Sequence, residues 1–106
     1  MEKVKLQAEY GLYINGQWRP AANGDTYTAE SPADGSHLAV CAQATREDVD
    51  DAVKAAWEAF KTWKKTTPAQ RAALLNKIAD NIDANKEHLA MVESMDNGKP
   101  IRETVN

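Results

Sequence analysis

At Thr45 the amino-acid sequence changes period, and that change limits the fold more than any other feature. Thr45-Arg46-Glu47-Asp48 has the pattern of a capping box, with the Thr hydroxyl placed to accept the backbone N–H of Asp48. Val49, Val53, Ala56, Phe60 and Trp63 follow at alternating spacings of four and three, one apolar stripe on a helix. Glu47, Asp48, Asp50 and Asp51 crowd the first turns and Lys61, Lys64 and Lys65 the last, the order a helix dipole favours. A second start is sharper, with Thr67 as N-cap, Pro68 at the first helical position and Gln70 at the third. From there Leu75, Ile78, Ile82, Leu89 and Val92 share one face. Asn85 stands on that face where an apolar residue is due, which predicts a kink or a new helix start beside it. Gly98, with Pro100 beyond, is the expected stop. Ile101 and Val105 then stand i, i+4 after Pro100, so a further helix is expected to open there and to be cut short at Asn106, as in a truncated protein.

Before Thr45 the pattern is one of short extended runs. Leu12-Tyr13-Ile14 and Gln17-Trp18-Arg19 flank Asn15-Gly16, the strongest two-residue hairpin signal, because both central positions of a type I′ turn need positive φ. Pro20 has no N–H to give a ladder and closes the second strand. Asn23-Gly24-Asp25 is a further turn, Thr26–Glu30 a strand closed by Ser31-Pro32, and Ala33–Ser36 a turn leading into the extended run Leu38–Ala42. The strands are too short to fold alone and must pack on something else. The expected organisation is an N-terminal tail over residues 1–9, a β-hairpin and short strands over 10–44, and a helical segment of two or three helices over 45–106. The fold class is α+β.

Composition removes several functions. Thirteen Lys and Arg against sixteen Asp and Glu leave a net charge of −3 over 106 residues, and no basic run exceeds Lys64-Lys65, so nucleic acid is not an expected partner. No apolar stretch approaches the roughly 18 to 20 residues that span a bilayer, and Met1–Lys5 lacks the apolar core of a secretory signal. One cysteine cannot form an internal disulfide, which is the usage of a reducing cytoplasm, the expected location.

The residues that could carry chemistry each have a simpler reading. Cys41 lies in an apolar extended run with no basic neighbour to lower its pKa, and is expected to be a buried structural thiol. His37 and His88 have no second ligand at i+3 or i+4. No serine stands in a glycine elbow, and no Gly-x-Gly-x-x-Gly or Walker loop occurs. The acidic run Glu47–Asp51 reads as a solvated face that complements the helix dipole, and Trp18, Trp57, Phe60 and Trp63 read as core. The residues by themselves define no active site.

In series, however, Tyr13–Trp18, Ser31-Pro32-Ala33-Asp34-Gly35, Glu47–Ala56, Phe60 to Trp63, Arg71 with Leu74-Leu75, and Glu93–Pro100 resemble the NAD(P)-dependent aldehyde dehydrogenases, in the family's order and spacing over nearly all of residues 10–106. The segment Asp96–Thr104 looks most like bacterial members that oxidise short aliphatic aldehydes such as acetaldehyde. Ser31 stands where the family usually has Asn before Pro. The resemblance implies that the chain is the N-terminal portion of a larger oligomeric oxidoreductase. It would form a peripheral part of the α/β, Rossmann-like cofactor domain. In that family a cysteine thiol attacks the aldehyde to give a thiohemiacetal, hydride passes to NAD, and a glutamate activates water to release the acid. An asparagine side chain and a backbone N–H steady the oxyanion. None of those catalytic or cofactor-binding positions has a match here, and Cys41 aligns with an early strand. The resemblance also implies a monovalent cation held by oxygens of Ala29, Glu30 and Asp96, hard donors suited to such an ion. The parent's partners would be NAD and an aldehyde, and the fragment would be inert and prone to self-association. The alternative from the residues alone is a stand-alone α+β module that binds a protein partner without catalysis.

Overall fold

Asn15 and Gly16 take φ of 53° and 76°, the two left-handed positions of the expected type I′ turn. The turn pairs β2 (Leu12–Ile14) antiparallel with β3 (Gln17–Arg19), in the register Leu12 to Arg19, Tyr13 to Trp18 and Ile14 to Gln17. These features come from a computed structural model that describes residues 5–105. The first four residues of the tail and Asn106, the last residue of the helical segment, lie outside the described residues.

A second sheet holds β1 (Glu9–Tyr10), β4 (Thr26–Glu30) and β5 (His37–Ala42) in the order β1-β5-β4. β1 runs parallel to β5, with Glu9 beside Val40 and Tyr10 beside Cys41. At two residues it has no alternation to announce it in the sequence.

Four helices follow: α1 (Arg46–Trp63), α2 (Pro68–Ala84), α3 (Lys86–Asn97) and α4 (Ile101–Thr104). Both capping boxes form, Thr45 with Asp48 and Thr67 with Gln70, each satisfying two otherwise orphaned backbone donors. Asn85 ends α2 and opens α3, its amide donating 2.9 Å to the Asn81 carbonyl, so the polar residue on the apolar face marks a break between helices. Gly98 closes α3 at φ 81°, a conformation that penalises any side chain. A Cβ added there would lie 3.1 Å from Cγ of Pro32, in the turn after β4.

The described chain divides into two compact units. One comprises residues 7–28 and 39–66 and buries Ala21, Ala39 and Asp48. In it β2 packs on α1. The other comprises residues 5–6, 29–38 and 67–105 and buries Ala90, Met91 and Ser31. There α3 packs on α2 and α4, and the Ser94 and Thr104 hydroxyls lie 3.0 Å apart. The first core is thus built from small side chains and one carboxylate, and the second adds Met91 to an alanine and a serine. No helix among the described residues is long and apolar enough to cross a membrane.

Candidate functional site

In the first unit the most constrained group is the Asp48 carboxylate. Its helix position comes from the Thr45 capping box, yet the side chain is 1% exposed and gathers donors from three elements. The backbone N–H and the hydroxyl of Thr45 each donate to Oδ2 at 2.9 Å. The backbone N–H of Ala22 straddles both oxygens at 3.1 and 3.2 Å, and Nη2 of Arg19 reaches Oδ1 at 2.9 Å. The same Arg19 nitrogen donates to Oδ2 of Asp51 at 3.1 Å. These contacts hold the Asp48 carboxyl down at about 2, below its ordinary 3.8. The Thr45 backbone N–H is the largest cause, burial opposes it, and Ala22, the Thr45 hydroxyl and Arg19 add to the lowering. Arg19 in turn is held above its usual range, chiefly by its bond to Asp51.

A carboxylate has about four lone-pair sites, and those of Asp48 are taken up by protein donors. It has no free site for a metal or for a substrate proton. Its work is to fasten the end of β3 and the following turn to the start of α1. The expectation of a uniformly solvated acidic face at Glu47–Asp51 is therefore corrected at Asp48, which is buried because Arg19 and Ala22 bring donors to it from 29 and 26 residues away. Nothing in the local sequence signals those partners.

The expected core aromatics are also corrected. Trp18 and Trp57 are 68% and 67% exposed, and Phe60 and Trp63 about half exposed. Along α1 the small residues Ala52, Ala55, Ala56 and Ala59 line a groove with the hairpin residues Tyr13 to Gly16, while Val53, Trp57 and Phe60 face outward. In α2, Leu75, Ile78 and Ile82 are likewise more than half exposed. The stripes read in the sequence are real, but the α1 stripe and the α2 part of the second are largely exposed, while Val92 of α3 is half-buried.

The residues proposed for a cation fall in the second unit. Ala29 and Glu30 end β4, the first half-buried and the second exposed, and Asp96 is exposed in the last turn of α3. The close approach of Gly98 to Pro32 brings the end of α3 beside the end of β4. Ser31 is buried, with its Oγ accepting from the Ala33 N–H at 3.3 Å, so the residue that departs from the family pattern still closes a turn. Cys41 is a free thiol, half-buried in β5 where full burial was expected. His37 and His88 are exposed, and among the described residues no three His, Cys, Asp or Glu side chains group as a metal site.

This arrangement of hairpin, capped helices and uncovered faces matches a known family. The model of the Aldehyde dehydrogenase family fits residues 18–106, most of the chain. The chain belongs to the aldehyde dehydrogenase family. It is 45% identical over 103 residues to DhaS of Bacillus subtilis strain 168, whose name assigns it provisionally to the aldehyde dehydrogenases; the match covers 95% of this chain and 21% of that one. It is 41% identical over 103 residues to the EPTC-inducible aldehyde dehydrogenase of Rhodococcus erythropolis, covering 97% of this chain and 20% of the relative. The NAD+ complex of an aldehyde dehydrogenase from Bacillus cereus superposes with a TM-score of 0.87 at 42% identity, over 92% of this chain and 20% of that one. The chain thus spans about a fifth of the length of the aldehyde dehydrogenases it matches.

Proposed function

We propose that this chain is the N-terminal part of an NAD(P)-dependent aldehyde dehydrogenase and is catalytically inert by itself. The observation that carries the reading is the family match over residues 18–106 at one fifth of the relatives' length. The exposed stripes of α1 and α2 support it, since they are faces that a larger cofactor domain would cover. The parent oxidises a short aliphatic aldehyde to its acid. Nucleophile, general base and NAD site belong to sequence outside these residues, and the role of residues 5–105 is to present a fastened hairpin and capped helices at the edge of that domain. Cys41 is not the nucleophile of this reading: it lies in the strand β5, paired with Tyr10 of β1. Purified chain mixed with NAD and acetaldehyde should form no NADH, and turnover by the chain alone would overturn its inertness.

In the same reading, the oxygens of Ala29, Glu30 and Asp96 hold a monovalent cation, which supplies positive charge between the end of β4 and the end of α3. The approach of Gly98 to Pro32 supports this by bringing the two ends near one another. Potassium chloride should raise the melting temperature relative to choline chloride at equal ionic strength, and Asp96→Asn should abolish the difference. Equal melting in both salts would remove the cation from the account.

A further inference from the structure

We propose that Asn15-Gly16 is this chain's site of spontaneous deamidation, selected by the fold from several equivalent residue pairs. Four of the five glycines, Gly16, Gly24, Gly35 and Gly98, follow an Asn or an Asp. Glycine has no Cβ to obstruct its nitrogen as it closes on the side chain before it, so each pair can form a cyclic imide, with loss of ammonia from Asn or of water from Asp. In three of the pairs the same two hydrogen bonds oppose that closure. The glycine N–H is donated back along the chain, from Gly24 to the Ala21 carbonyl at 2.9 Å, from Gly35 to Ser31 at 2.8 Å and from Gly98 to Ser94 at 2.9 Å. The side-chain oxygen accepts from the backbone N–H two residues on, Asn23 from Asp25 at 3.0 Å, Asp34 from Ser36 at 2.9 Å and Asn97 from Lys99 at 2.8 Å. At Asn15-Gly16 neither bond exists among the described residues. The hairpin closes with Ile14 opposite Gln17, which leaves the N–H groups of the two turn residues outside the ladder. All four acidic or amide side chains are exposed, so access to water does not separate the pairs.

The missing bonds act on the reaction itself. The Gly16 nitrogen loses its proton to solvent base and bonds to Cγ of Asn15, the Cγ–Nδ2 bond breaks, and the leaving nitrogen takes a proton from water to depart as ammonia. Water then adds to one of the two imide carbonyls. Opening at Cγ restores the normal main chain and leaves an aspartate. Opening at the other carbonyl leaves an isoaspartate, with the main chain now running through the side-chain carbon. Water is consumed and ammonia released, with no oxidation or reduction. A glycine N–H given to a carbonyl must leave it before the proton can be lost, and a pinned side chain must swing free before Cγ can meet the nitrogen. Each such bond slows the closure by roughly fivefold. Asn15 has φ 53°, a conformation aspartate also tolerates, so the first product keeps the turn. Isoaspartate adds a main-chain carbon to a two-residue turn and disturbs the Ile14 to Gln17 register. A carboxyl methyltransferase selective for isoaspartate is the class of enzyme that would act on that second product.

The test incubates the full chain at mildly alkaline pH, folded and in guanidinium chloride, and follows aspartate and isoaspartate at residues 15, 23 and 97 by peptide mass spectrometry. In the folded chain Asn15 should react about tenfold or more faster than Asn23 or Asn97. In denaturant, where the opposing bonds are gone, the three should react at nearly one rate. Asn15→Asp, its fold checked by circular dichroism, should remove most of the ammonia that the folded chain releases. Equal rates in the folded chain, faster reaction at Asn23 or Asn97, the same preference in denaturant, or undiminished ammonia from the variant would each overturn the proposal.

Discussion

Nη2 of Arg19 stands 2.9 Å from Oδ1 of Asp48, joining the end of a three-residue strand to the third residue of an 18-residue helix. The hairpin has too little apolar surface to hold itself in place, so its position depends on this polar fastening. Because the acid is buried and fully hydrogen-bonded, removing it strands several donors at once, a greater loss than the pair itself would contribute. Asp48→Ala should therefore destabilise the chain more than any single cap substitution, seen as the largest fall in urea midpoint among the variants considered below.

The same acid sets a pH response. Its folded value of about 2 lies below the ordinary 3.8, so its contribution is fully present above pH 3.8 and is lost as pH falls towards 2. Asp48→Asn should flatten the stability profile across that window and leave the slope at neutral pH unchanged. Urea titrations at a series of acid pH values check this; an unchanged acid limb would contradict it.

Thr67 offers a milder comparison. Its hydroxyl accepts from the Gln70 N–H at 3.1 Å on an exposed helix start, so water can replace it in part. Thr67→Ala should cost about 1 kcal/mol, the usual cost of a lost N-cap. Equilibrium unfolding in urea measures it directly.

Gly98 and Gly16 separate backbone strain from crowding. Both have positive φ, 81° and 76°, and alanine at either should cost about 1–2 kcal/mol through the left-handed conformation. At Gly16 a Cβ meets nothing within 4 Å, whereas at Gly98 it meets Pro32 at 3.1 Å. Gly98→Ala should thus be the more destabilising of the two in thermal melts. The opposite order would deny the packing of the α3 end on the turn after β4.

Much of the fold was legible because it is written in local signals. Asn15-Gly16 needs only its own φ angles, Thr45 and Thr67 only the residue three places on, and Asn85 only its place in the stripe. What local signals could not reveal were long-range pairings. The fastening of Arg19 to Asp48 spans 29 residues, and the two-residue β1 exists only because β5 lies beside it. The apolar stripes were legible as stripes but not as exposed ones, since periodicity identifies a face without saying what covers it. The proposed cation residues Ala29, Glu30 and Asp96 came from family likeness rather than from spacing.

The central claim is that this chain serves as one part of a larger aldehyde dehydrogenase. It is tested most directly by grafting residues 5–105 in place of the matching segment of the Bacillus cereus enzyme, 42% identical to this chain, and following NADH formation with an aldehyde that the unaltered enzyme oxidises. A soluble chimera that forms NADH, while the enzyme lacking the segment does not, is the predicted result. A chimera that folds yet forms no NADH would contradict the account.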